Sequence, residues 1–167
     1  MAIKYSLLLI IFLISNYSNS QEDFAKNVGY LEIGGNGGAY SLNYERAFSP
    51  QFLLRVGFAS WSATQDFGGE KSKTTIPVMF NSLFGSGNHK IEGGLGVMLG
   101  SEKHTGNEVW PKSKENIFAL TGTAGYRYQK PAGGIIFRVG LTPFLNIGDS
   151  EYPDFNFSGG GSVGYAF

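Results

Sequence analysis

The chain has no cysteine, only two histidines and, at 16%, little charge. Without cysteine there can be no disulfide framework, no thiolate metal site and no lipid-modified N-terminal cysteine. His89 and His104 lie far apart and lack paired-ligand spacing, so no metal site is expected. Thirteen basic residues balance 13 acidic ones. No Lys/Arg cluster forms a basic face, which argues against nucleic acid as a partner. Beyond residue 20 no apolar run is long enough to cross a bilayer as a helix. What the chain has in excess is glycine, 25 of 167 residues, and aromatic residues at 15%. A disordered chain would carry fewer aromatics and more charge. Glycines set inside aromatic, alternating runs point instead to backbones packing closely in a small barrel.

Residues 1–20 read as a cleavable signal peptide. Lys4 gives a positive start, Ser6–Ile14 an apolar stretch too short to span a membrane, and Ser18-Asn19-Ser20 a small-x-small cleavage site. From Gln21 the pattern changes to alternation, broken by Gly, Pro, Asn, Ser and charge. Eight strands are expected, at 28–35, 39–47, 52–61, 74–84, 90–100, 116–128, 134–147 and 155–167. Most are near the ~9–11 residues that a tilted strand needs to cross a bilayer. From the second connector onward short turns alternate with longer, more polar loops at 62–73, 101–115 and 148–154. The first hairpin has only a tight Asn36-Gly37-Gly38 turn.

The last thirteen residues show the facing most clearly. Phe155, Phe157, Val163, Tyr165 and Phe167 share one face, while Asn156, Ser158, Gly160, Ser162 and Gly164 share the other. In water a terminal strand ending on Tyr-x-Phe would be an exposed, aggregation-prone edge. With lipid on the apolar side and a narrow lumen on the small side, it is instead the closing strand of a barrel without edges. The same parity puts Phe52, Leu54, Val56 and Phe58 outside against Arg55, and Ile135, Phe137, Val139 and Leu141 outside against Arg138. Aromatic residues gather at both strand ends, as two interfacial girdles require. Pro77 and Pro143 fall within strands, so local bulges are expected there.

Six charges project inward by this count: Glu32, Glu45, Arg55, Glu92, Arg127 and Arg138. Charges in a narrow lumen must pair, and three acids facing three arginines suggest a neutral ion-pair plug. Catalytic candidates are few. Ser101-Glu102-Lys103-His104 sits in an expected outer loop, where adjacent residues rarely acquire the geometry of a nucleophile and its base. Gly159-x-Gly161-x-x-Gly164 matches a dinucleotide fingerprint, but that motif needs a following helix and only three residues follow, so no cofactor is expected. His104 and Trp110, among the mixed charges of the third outer loop, are the candidates for surface interaction.

With its signal peptide, eight alternating segments and terminal Val163-x-Tyr165-x-Phe167, the sequence resembles the small eight-stranded outer-membrane β-barrel proteins of Gram-negative bacteria, of the OmpA and OmpX type. The resemblance implies an all-β, antiparallel, up-and-down transmembrane β-barrel over residues 28–167, after a short periplasmic segment at 21–27. It implies a monomer in the outer membrane, bounded by outer-membrane lipids and lipopolysaccharide. It further implies that Val163, Tyr165 and Phe167 serve as the signal read by the barrel-assembly machinery. The function expected is structural or surface-interacting and non-enzymatic. Two alternatives are a lipid A-modifying enzyme and a narrow transporter of small apolar molecules with a lateral opening near Pro77 or Pro143.

Overall fold

The computed structural model describes residues 24–64, 69–105, 112–147 and 154–167. The expected signal peptide at 1–20 and Trp110 lie outside the described residues. Eight antiparallel strands run in sequence order and close on themselves. They are β1 (Asn27–Gly34), β2 (Tyr40–Ala47), β3 (Phe52–Thr64), β4 (Glu70–Phe84), β5 (His89–Thr105), β6 (Ser113–Tyr128), β7 (Gly134–Asn146) and β8 (Asp154–Ala166). The barrel closes between β1 and β8, in register from Val28↔Ala166 to Gly34↔Gly160. Asn27 and Phe167 extend this ladder by exchanging both backbone hydrogen bonds, each at 2.8 Å.

The expected facing holds on every strand. Leu54, Phe80, Leu95, Leu120, Val139 and Phe157 are all exposed on the outer surface, and most of the aromatic residues at both rims are exposed with them. Large apolar side chains therefore cover the outside, while Arg55, Glu45 and Arg127 are wholly buried within. This is a soluble protein turned inside out. Such a surface is stable only where lipid covers it.

Three features differ from the sequence-based expectation. First, β3 to β6 continue past the apolar band into what the sequence suggested were loops. The Ser101–His104 segment is strand, paired with β4 from Thr74 to Lys71 and with β6 from Asn116 to Ser113. Its polar alternation fits a two-sided sheet in water as well as it fits a loop. His104 is therefore a strand residue.

Second, neither proline makes a bulge. The β3–β4 offset is the same at Val56↔Val78 and Ala59↔Thr75, on either side of Pro77. The β6–β7 offset is likewise unchanged from Thr121↔Phe144 to Ala124↔Leu141, across Pro143. Two rungs of pairing lapse at each proline, and glycine makes room for the ring. A Cβ on Gly57 would come within 2.8 Å of Pro77 Cγ, and one on Gly122 within 3.3 Å of Pro143 Cγ. Register is preserved because only the missing N–H is lost from the ladder.

Third, the first hairpin does not simply turn. Gly35–Gly37 forms a single 3₁₀ turn that folds inward, with Asn36 buried in the lumen. Positive φ angles at Gly34, Gly35 and Gly38 permit this reversal.

Glycine on the inner wall of β8 sets how far side chains from β1 can reach. A Cβ at Gly164 would lie 2.3 Å from the Tyr30 Cβ and 2.2 Å from the Gly29 carbonyl oxygen. At Gly161, on the outer face, the nearest atom would be 3.8 Å away. Gly164→Ala is expected to destabilise the barrel by about 1–3 kcal/mol through overpacking, and Gly161→Ala to stay within about 0.5 kcal/mol of wild type. Urea unfolding in lipid vesicles measures both, and equal effects would show that this close approach does not constrain the wall.

Candidate functional site

The six inward charges meet in one cluster. Arg127 donates to Glu45 at 2.6 Å and to Glu92 at 3.3 Å. Arg138 grips Glu92 through two parallel bonds, 2.8 Å from Nε and 2.6 Å from Nη2. Arg55 pairs with Glu32, and Arg138 Nη1 lies 3.8 Å from Glu32 and 4.0 Å from Glu45. Each acid thus touches more than one base, so the cluster is a network and not three separate pairs. The β-sheet explains the placement. Arg127 and Arg138 are directly opposed across β6–β7, and Glu45 and Arg55 across β2–β3.

Neutral residues extend the network. The Tyr30 hydroxyl donates to Glu45 at 2.8 Å, and its ring lies against two guanidiniums, 4.6 Å from that of Arg138 and 5.5 Å from that of Arg55. Such contacts add to ion pairing where water is excluded. Asn81 donates to Glu92 at 2.9 Å, and Gln129 accepts from Arg127 Nε at 2.7 Å. Arg55 Nε donates to Asn43 at 2.9 Å, while its Nη1 donates to Asn36 at 3.2 Å. Asn36 in turn donates to Thr121 on the far wall, so the 3₁₀ turn is tied across the lumen as a lid over the charges. Beneath them Phe24 packs on Ala47, Leu53 and Leu83, and Ala25 packs with Val28, Ile136 and Ala166. A polar cavity of about 10 Å³ borders Arg138, Glu32 and Glu92. That is room for about one water molecule.

Tyr30, Asn36 and Gln129 are the members that sequence reasoning missed. Tyr30 had a signal, since it lies two residues before Glu32 and shares its parity. Asn36 had none, because a turn residue carries no alternation to read.

Above the lid the barrel opens into a mouth of about 380 Å³, with Met98, Ile117 and Phe144 low in its lining and Lys73, Glu102 and Asn146 among its polar residues. Glu102 accepts from Lys71 at 2.6 Å and lies 2.9 Å from His104 Nε2. These groups stand beyond the apolar band. Burial works against the Glu102 charge, but the Lys71 and His104 hydrogen bonds outweigh it and hold its carboxyl below the usual range. Ser101 faces outward, on the opposite side of β5 from Glu102 and His104, so it forms no nucleophile–base pair with His104. Among the described residues no group of three His, Cys, Asp or Glu side chains could hold a metal ion. Val163, Tyr165 and Phe167 lie together on the outer face of the closing strand and its end, all more than half exposed.

This geometry matches that of known barrels. No protein-family model matches the chain, and no curated protein does. Among solved structures, the N-terminal β-barrel domain of Pseudomonas aeruginosa OprF is similar, with a TM-score of 0.61 at 13% identity over 86% of this chain and 99% of that one. Neisserial surface protein A is similar with a TM-score of 0.58 at 12% identity, over 87% of this chain and 98% of that one. At such identities the likeness establishes the fold. The chain is an eight-stranded antiparallel β-barrel of the outer-membrane type.

Glu92 accepts four hydrogen bonds, against two each for Glu32 and Glu45, so it tests the network best. Glu92→Gln leaves two buried guanidiniums without their shared carboxylate and should cost about 3–5 kcal/mol. Glu102→Gln, at the wetter mouth, should cost no more than about 1 kcal/mol. Urea midpoints in vesicles decide this, and two similar losses would mean that the network carries no special weight.

Proposed function

We propose that the protein is an integral outer-membrane barrel with a closed lumen and a structural or surface-interacting role, without catalytic activity. The observation that carries this reading is closure of the lumen at mid-height. Above a short-turn mouth of about 510 Å³ lined by Phe24, Leu53 and Leu83, six charges pair, and the Asn36 lid spans the wall above them. An eight-stranded barrel is just wide enough for side chains to fill. Between these layers the void bordering Arg138 holds about one water, which is too little for a continuous wet path.

The outward apolar band and the similarity to OprF and Neisserial surface protein A in fold support an address in the outer membrane, reached through a cleaved signal peptide. There the barrel would be a monomer surrounded by outer-membrane lipids and lipopolysaccharide. The exposed Val163, Tyr165 and Phe167 would supply the terminal signal recognised by the assembly machinery. The lipid A-modifying alternative loses its support with the opposed directions of Ser101 and His104. The transporter alternative loses its support with the unbroken register at Pro77 and Pro143.

Planar-bilayer recording tests closure. The purified barrel, shown to be folded by a mobility difference between unboiled and boiled samples, is expected to give no steady conductance. Arg55→Ala, which removes the guanidinium joining Glu32 to the Asn36 lid, should give measurable openings. Stable conductance from the wild-type protein would overturn the proposal.

A further inference from the structure

The β5–β6 ladder opposes like charges on both of its faces. On the inner face Glu102 lies directly across from Glu115. One rung higher, on the outer face, Lys103 lies directly across from Lys114. Directly opposed like charges have Cβ atoms about 5 Å apart and destabilise a sheet. Where this occurs inside the barrel, the protein supplies the counter-charge. Lys71 and Lys73 reach Glu102, and Glu92 is shared by the opposed Arg127 and Arg138.

Outside, no such answer is given. Among the described residues neither Lys103 nor Lys114 is ion-paired. Glu70, an outward acid among the described residues, lies opposite Thr105 on the diagonal from Lys103 and forms no ion pair with it. The neighbours of the two lysines are small and polar: Ser72 beside Lys103, with Thr74, Ser101 and Asn116 on the rung below.

The height of the pair says where the missing charge comes from. Ile76, Leu99 and Phe118 form the last apolar outer rung. The lysines stand four residues further along their strands, about 10 Å higher for a tilted strand. The headgroup layer reaches about 5–8 Å beyond the hydrocarbon on each side, so the lysines stand just above it and their flexible stems can bend down to its phosphates.

We propose that Lys103 and Lys114 form an external binding site for the phosphate of an anionic outer-leaflet lipid, of the phosphorylated glycolipid class. One phosphate between the two ammonium groups would turn a repulsive rung into a stabilising one and fix the barrel's height in the leaflet. The inference rests on the outer-membrane reading above and adds a named site to it.

The test compares wild type with Lys103→Gln/Lys114→Gln in phosphatidylcholine vesicles containing lipid A or its dephosphorylated form. Bound glycolipid is counted by native mass spectrometry after detergent extraction. Wild type should retain lipid A roughly tenfold or more better than the double variant, both should hold the dephosphorylated form equally, and millimolar inorganic phosphate should not displace the lipid. Equal retention of lipid A by both proteins, retention indifferent to the phosphates, or displacement by inorganic phosphate would overturn the site. Lys103→Glu gives an independent reading. It should raise the urea midpoint in pure phosphatidylcholine, by placing a carboxylate opposite Lys114, and lower it where lipid A is present. The same sign in both would also overturn the site. If the native protein neither fractionates with the outer membrane nor shifts on boiling, the outer-membrane reading fails, and the site falls with it.

Discussion

A charge taken from water into a narrow protein interior is costly unless an opposite charge and hydrogen bonds replace the lost solvation. The lumen of this barrel holds three guanidiniums and three carboxylates, and the rest of the structure accommodates them. Glycine and small residues on the inner walls leave room for their side chains. Tyr30 reaches in opposite Gly164, bonding Glu45 while its ring meets two guanidiniums. The first hairpin folds inward so that Asn36 can join Arg55 to the far wall. Apart from the small inner clusters around Leu53 and Ile136, large apolar side chains then face outward, where lipid is the solvent that suits them.

The sequence carried most of this in one signal, the period-2 alternation. Because register and facing in a strand are locked together, knowing that Phe157 faces out also placed Ser162 and Gly164 inside, and Arg55 and Arg138 with them. The six lumen charges were legible for that reason, although not which would pair with which. Pairing depends on how neighbouring strands are staggered, and no single strand records that. Features that alternation does not encode were misread or missed. Polar alternation above the apolar band looked like loop, so the Ser101–His104 segment was placed off the sheet. The prolines suggested bulges, because a lone strand does not reveal that Gly57 and Gly122 stand opposite to receive the rings. Asn36 was hidden in a turn.

The two faces of the wall treat charge differently. Inside, like charges that the register forces together are answered by protein groups, as Glu92 answers Arg127 and Arg138. Outside, no acid among the described residues answers Lys103 and Lys114. With a lumen that is neutral and closed at mid-height, the outer mouth and the lipid boundary are where a role in surface interaction would be exercised.

The central claim is that the buried charges act as one unit. A double-mutant cycle on Glu45 and Arg127, joined at 2.6 Å, tests it directly, using Glu45→Gln, Arg127→Met and the double variant in urea unfolding from lipid vesicles. The account predicts strong non-additivity, with a coupling of about 1–3 kcal/mol and a double variant less damaged than the two single losses together. Additive losses would contradict it, because they would mean that these charges are neighbours in the lumen without depending on one another.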